Sequence, residues 1–327
     1  MRNIIYCAQF HDKIGYSVAA MGYLKSLDNC LKHENDINLK IYSISLSQDH
    51  SAFKESHFSD EERALIKKYH LKDNSELDVL ISEGFDMLWH TTTVLPIISK
   101  SRNVFFSKNC DYHIYDLIKK SNKNYHMLVW ETNELPSEWK ELIEHFQPES
   151  LLTASEWNRD TFLKYANNEF IKHNNSNINV SLVPHLIEED ISSSRSFSKI
   201  SNIDLEDKFV VFSLSEWNDR KNHHALITSF ISELGNRDDA VLVLKTSGAP
   251  KEAITNEIKS VKNLIRIPYK KNNIVLLLDY LKDDELNYLY DRCDVFALLS
   301  KGEGFSLPLS EATKFKKPVI APREGGH

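Results

Sequence analysis

Short apolar runs alternate along this chain with longer stretches in which apolar side chains recur every three or four positions. The runs predict strands and the stretches predict helices. In the first half the runs fall at 3–10, 37–45, 86–90, 104–107, 125–131, 151–155 and 180–183. Helical spacing appears at Val18, Met21, Leu24 and Leu27, at 60–70, 115–119 and 158–165, and around Trp139. The second half repeats the order, with runs at 209–214, 240–246, 274–278, 295–299 and 318–321. Helices are predicted at 223–234 and 251–261, from Asp283, whose acidic neighbours suit a helix start, and from Ser306 as the capping hydroxyl, with Pro308 in the first turn and Glu311 inside. Strand, loop and helix in this repeated order predict α/β architecture with parallel, doubly wound sheets.

Length turns one such sheet into two. With 327 residues the chain exceeds a single comfortable core. The order restarts after Leu186, so the expected domains are 1–186 and 187–327. Residues 172–179 are a polar loop and 192–202 a serine-rich linker or surface segment. Hydrophobic content of 41% and charged content of 27% are ordinary for a globular protein. A net charge of -7 with no dense Lys/Arg run argues against nucleic acid as a partner. The four cysteines are scattered with no C-x-x-C pair, which fits a reducing compartment, and the 14 histidines show no metal-ligand spacing. No apolar stretch has the length of a membrane span.

Candidate chemistry concentrates at strand ends. Of nine glycines, four lie in the last stretch: Gly302, Gly304, Gly325 and Gly326. Glycines after strands suit sharp turns or close approach to a ligand. The free amides that begin the following helix, at Phe305, Ser306 and Leu307, suit a phosphate or a sugar hydroxyl. Arg220 and Lys221 stand at the mouth of the first loop of the second half, where two cations suit a diphosphate; a solvated surface turn is the plainer alternative. Lys245 and His90 each sit at the carboxyl end of a strand, where open α/β sheets place ligand groups. His90 could equally serve only its own strand.

The string EGFSLPLSE at 303–311, followed by Ala312 and KPVI at 317–320, resembles the E-x7-E motif of retaining GT-B glycosyltransferases of family 4, the glycosyl transferases group 1. That family commonly reads E-G-F-G-L-P-x-x-E, so Ser306 stands where glycine is usual. WETNELP at 130–136, the Val183-Pro184-His185 step and Lys221 in an R-K-N step extend the resemblance over nearly the whole chain. It implies two Rossmann-like domains facing across a cleft, with the donor on the C-terminal side and the acceptor on the N-terminal side. It implies that Glu311 binds ribose hydroxyls, that Glu303 contacts the donor sugar, and that Arg220 and Lys221 stabilise the leaving diphosphate without a metal. Gly15 matches a loop glycine at the cleft floor. Tyr280 lies where a base would stack, although a core-edge tyrosine reads as well. Glu131 and Thr132 replace a histidine that family members often carry, and would face the acceptor from a strand end.

The resemblance further implies a cytoplasmic enzyme of polysaccharide biosynthesis with a glycan or lipid-linked acceptor, in peripheral contact with the inner membrane surface. The final Gly325-Gly326-His327 reads as a strand-to-helix turn whose helix is missing, so the C-terminal part is expected to be truncated, which would expose sheet surface and favour a homo-oligomer. The alternative function is a non-catalytic nucleotide-sugar-binding or partner subunit of a glycosyltransferase complex. A Rossmann dehydrogenase is excluded, because no G-x-G-x-x-G follows the first strand.

Overall fold

A computed structural model of the chain describes residues 1–10, 15–44, 57–90, 112, 114–166, 178–187, 199–200, 203–265 and 273–327. Two units separate by their internal contacts: Met1–Leu186 with Gly326, and Ile187–Gly325 with His327. No helix among the described residues is long and apolar enough to cross a membrane.

The N-terminal unit contains β1 (Arg2–Gln9), α1 (Gly15–Leu31), β2 (Ile37–Ile44), α2 (Asp60–Tyr69), α3 (Asn74–Glu83) and β3 (Asp86–His90). It continues with α4 (Ile114–Lys120), β4 (Lys123–Met127), α5 (Ser137–Phe146), β5 (Ser150–Thr153), α6 (Glu156–Tyr165) and β6 (Asn179–Leu182). The sheet order is β2-β1-β3-β4-β5-β6, every pairing parallel. Because strand side chains alternate between faces, Ile5 and Cys7 of β1 enter one core with Trp139 and Phe162, while Tyr6 and Ala8 enter another with Ala20 and Leu24. Burial on both faces explains why β1 reads as a continuous apolar run rather than an alternating one. Helix starts are set by side chains: Ser59 and Glu62 form a reciprocal capping box, and Asp73 and Ser155 accept from the third amide of α3 and α6.

The C-terminal unit contains β7 (Phe209–Leu214), a 3-10 turn (Asp219–Lys221), α7 (His223–Leu234), β8 (Ala240–Lys245), α8 (Lys251–Leu264) and β9 (Ile274–Leu277). After these come α9 (Asp283–Arg292), β10 (Val295–Ala297), α10 (Leu307–Lys314) and β11 (Val319–Ile320). Its parallel sheet runs β11-β10-β7-β8-β9. The chain therefore lays β7, β8 and β9 to one side, then crosses back to add β10 and β11 on the other. The order reverses between β7 and β10, and open α/β sheets place ligand groups at the strands' carboxyl ends at such a reversal.

Several expectations are corrected. The run at 125–131 is strand only to Met127. Leu128 N–H still bonds Leu152 O at 2.9 Å, but the Trp130 peptide is then taken by the buried Asn158 side chain, whose Oδ1 accepts from Trp130 N–H at 3.0 Å and whose Nδ2 donates to Trp130 O at 2.6 Å. Glu131 and Thr132 thus lie in a bend beyond the strand. Helix α3, with its own Asp73 cap, has no counterpart among the predicted helices. The last strand shortens to Val319–Ile320, an edge pair that is 40% and 52% exposed. The strand expected at 104–107 lies outside the described residues, as do parts of the 172–179 loop and the serine-rich 192–202 segment.

Candidate active site

The loops leaving β7 and β10 meet at the reversal of the C-terminal sheet. The first carries Arg220 and Lys221 on the 3-10 turn. Asn218 starts that turn by accepting Lys221 N–H on Oδ1 at 3.1 Å, and Asn222 ends it in the left-handed region at φ 54°. Asparagine tolerates that conformation better than most residues, and its Nδ2 also donates to Leu299 O at 3.1 Å. The second loop answers with Lys301 N–H, which donates to Arg220 O at 2.8 Å. Two loops far apart in sequence are stitched into one surface.

Glu303 occupies the middle of it, only 6% exposed. Its Oε1 accepts from Lys221 Nζ at 2.5 Å, and its Oε2 lies 3.3 Å from Arg220 Nη1, which also donates to Gly302 O at 2.8 Å. Burial pushes the Glu303 carboxyl up, but the Lys221 charge and hydrogen bond, with Arg220 behind them, bring it below its ordinary value. Within this contact cluster two cations face one carboxylate, so the three side chains together carry a net positive charge. Such a surface can take an anion.

The motif residues after Glu303 turn into α10. Ser306 holds the N-cap position at φ 70°, without a side-chain cap bond, and its buried hydroxyl has no hydrogen-bond partner among the described residues. The expected cap is therefore a backbone bend, not a hydroxyl bond. Left-handed geometry strains any residue with a Cβ, by about 1–2 kcal/mol. Ser306→Gly is expected to raise the stability of the C-terminal unit by about 1 kcal/mol in urea unfolding; an unchanged or lower midpoint would show that the hydroxyl contributes something the strain argument omits. Phe305 is half-buried beside this bend, and Leu307 opens α10, whose first-turn amides have no intrahelical partners. Glu311 sits on the second turn, half-buried, 3.8 Å from Lys314 Nζ.

The remaining candidates lie on other elements. Lys245 ends β8, with Nζ 3.4 Å from Thr246 O, and burial lowers its pKa against the opposing charge of Asp279. Tyr280 follows β9 and is 46% exposed. In the N-terminal unit, His90 is the last residue of β3, opposite Met127 of β4. Glu131 is half-buried, and exposed Thr132 accepts the Trp130 indole N–H at 2.7 Å while donating to Glu134 O at 3.0 Å. Gly15 is not a loop residue: it opens α1, exposed, and among the described residues nothing lies within 4 Å of where a Cβ would stand. The structure gives no reason for a glycine there.

Sequence reasoning missed the group that closes the cationic loop from below. His223, the first residue of α7, stacks on Trp217 with ring centroids 4.2 Å apart, and its Nε2 lies 3.0 Å from Ser215 Oγ. The sequence signal that marks it out from the adjacent His224 is position, since the first side chain of the helix faces the loop it terminates.

Residues 194–327 match the family model for Glycosyl transferases group 1. No curated protein matches the chain. Solved structures do match, at low identity. One is a Burkholderia vietnamiensis α,α-trehalose-phosphate synthase (UDP-forming), 12% identical, with a TM-score of 0.63, covering 99% of this chain and 85% of that one. Another is the Burkholderia multivorans α,α-trehalose 6-phosphate synthase, 11% identical, TM-score 0.63, covering 99% and 84%. A third, an E. coli structure described as trehalose-6-phosphate bound with UDP-2-fluoro glucose, is 12% identical, TM-score 0.63, covering 100% and 85%. These likenesses show the fold: two parallel-sheet α/β domains of the GT-B kind. Together with the family match over the second half, they indicate a glycosyltransferase.

Proposed function

We propose that this chain is a retaining, family 4 type glycosyltransferase that moves a sugar from a nucleotide-sugar donor to a glycan or lipid-linked acceptor, without a metal. The C-terminal unit holds the donor and the N-terminal unit receives the acceptor. The observation that carries the reading is the Arg220–Lys221–Glu303 cluster at the reversal of the C-terminal sheet. Glycosyl transfer builds negative charge on the leaving diphosphate. Preorganised cations meet that charge without reorganising, which is where catalytic stabilisation is largest. Lys221 and Arg220 supply this role, so a divalent ion is not required.

Glu303 then exchanges partners. It pairs with both cations in the structure; with donor bound, the diphosphate takes them and the carboxylate accepts hydrogen bonds from the sugar hydroxyls. Glu311 accepts from the ribose, and the backbone amides at Phe305, Ser306 and Leu307 support the phosphate or the sugar. The displacement is front-face: the bond from the anomeric carbon to the diphosphate oxygen breaks as the acceptor oxygen bonds the same face. The acceptor's proton passes to the departing diphosphate. Glu303 needs no covalent role.

A nucleotide titration tests the reading. UDP, GDP and ADP are titrated by calorimetry, without metal, into the wild-type chain and into Glu311→Ala. UDP comes first because the E. coli neighbour is described with UDP-2-fluoro glucose. One nucleotide is expected to bind, and the variant to weaken it by about 1.5–3 kcal/mol, the range for a hydrogen bond to a charged acceptor. Failure of a folded sample to bind any of the three would overturn the donor-site assignment.

A further inference from the structure

We propose that His223 is a positioning residue of the donor site, fixing the loop at 215–222 so that Arg220 and Lys221 are set for a nucleoside diphosphate; this rests on the donor-site reading above. The loop is held at both ends. On one side, Ser215 N–H donates to Lys245 O at 3.2 Å and Trp217 N–H to Ser247 O at 2.7 Å, while the Trp217 indole donates to Glu257 Oε2 at 2.8 Å. On the other, Asn222 reaches Leu299 O and Arg220 O accepts from Lys301. His223 joins the two sides. It follows Asn222 directly, yet its ring lies against Trp217 at an interplanar angle of 18° and its Nε2 meets Ser215. One imidazole therefore touches the beginning, the middle and the end of a loop whose only cationic turn lies between those contacts.

The ring is 5% exposed. Burial, with the Lys221 charge second, pushes its pKa down to about 4, so it is neutral at physiological pH. A neutral ring can pack beneath Lys221 without competing with it for the anion. A histidine that merely filled space would be expected to loosen the whole C-terminal unit when removed. A positioning residue has a narrower signature: its loss weakens recognition of the second phosphate more than that of the rest of the ligand.

The test compares diphosphate with monophosphate. UDP and UMP, GDP and GMP, and ADP and AMP are titrated into wild type, His223→Ala and His223→Phe, with melting temperature recorded for each. In the series that wild type binds, His223→Ala is expected to lose about tenfold in diphosphate affinity and little in monophosphate affinity, and His223→Phe, which keeps the stack, to recover part of that loss. Equal losses for both ligands, or none for either, would overturn the inference while leaving the donor site standing. If wild type binds no member of any series, the donor-site reading fails and takes this inference with it. Should His223→Ala not fold, the diphosphate-to-monophosphate ratio in His223→Phe decides, with an unchanged ratio counting against.

Discussion

Lys221→Met is expected to lower glycosyl transfer by about 10²–10³-fold, the range for losing one preorganised group that faces developing charge. The same change is expected to destabilise the C-terminal unit, because Glu303 would keep its burial and lose its shorter ion pair, the 2.5 Å contact with Nζ, retaining Arg220 at 3.3 Å. Breaking one side of a buried pair leaves uncompensated charge, typically about 3–5 kcal/mol where no second partner exists. With Arg220 still present the expected loss is nearer about 2 kcal/mol. Glu303→Gln separates the two roles. It frees both cations, so the nucleoside diphosphate should bind as tightly as in wild type or more so, whereas transfer should fall because the donor sugar loses a charged acceptor. The double variant is the informative one. Lys221→Met with Glu303→Gln removes both charges, so its loss of stability should be smaller than the sum of the two single losses, the non-additive result that coupled residues produce. Urea unfolding and transfer rates on the four proteins complete the cycle; strict additivity in stability would mean that the ion pair does not exist in solution.

Much of this site could be anticipated from residues alone, for a physical reason. Parallel strands buried on both faces are apolar runs, and ligand groups of such sheets gather where the runs end, so Arg220 and Lys221 were identifiable from their position after β7, whereas Glu303 stood out only through the motif that surrounds it. The contact among the three was not identifiable. It depends on the sheet order placing β10 beside β7 rather than beside β9, and a linear pattern carries no record of which strands are neighbours. Ser306 shows a different limit. The residue types suggested a hydroxyl cap, but the positive φ that the turn demands points the hydroxyl into the interior, and only coordinates reveal the sign of φ. In the N-terminal unit the strand signal of Val129-Trp130 was overruled by one side chain. Asn158 supplies both the donor and the acceptor that a neighbouring strand would have supplied, so the backbone leaves the sheet early without stranding a polar group. The stack of His223 on Trp217 joins residues six positions apart through a turn, a spacing that neither helix nor strand periodicity would flag.

Acidification should destabilise the N-terminal unit well before its carboxylates are protonated. Among its described residues this unit buries two histidines, His126 in β4 and His185 after β6, where His185 Nδ1 lies 3.0 Å from the Tyr23 hydroxyl. Burial pushes both imidazoles down from 6.5 to about 4. At a pH between those values the folded unit holds both rings neutral, while the unfolded chain binds a proton on each. Unfolding then takes up protons, so stability is full above about pH 6.5 and is lost as pH falls toward 4. Each ring at pH 5 contributes a loss of about 2 kcal/mol, so the pair removes about 4 kcal/mol, a large part of the roughly 5–15 kcal/mol that holds a typical domain together. His223 adds a similar dependence in the C-terminal unit, from a single ring. Urea unfolding followed by tryptophan fluorescence at pH 8, 6 and 5 should show the midpoint falling across this range. His126→Leu, which removes one titrating ring, should roughly halve the pH slope of the N-terminal unit whatever it does to the absolute midpoint. A slope that His126→Leu leaves untouched would mean that the ring is hydrated or charged in solution, and the cause of any acid lability would have to be sought among the carboxylates.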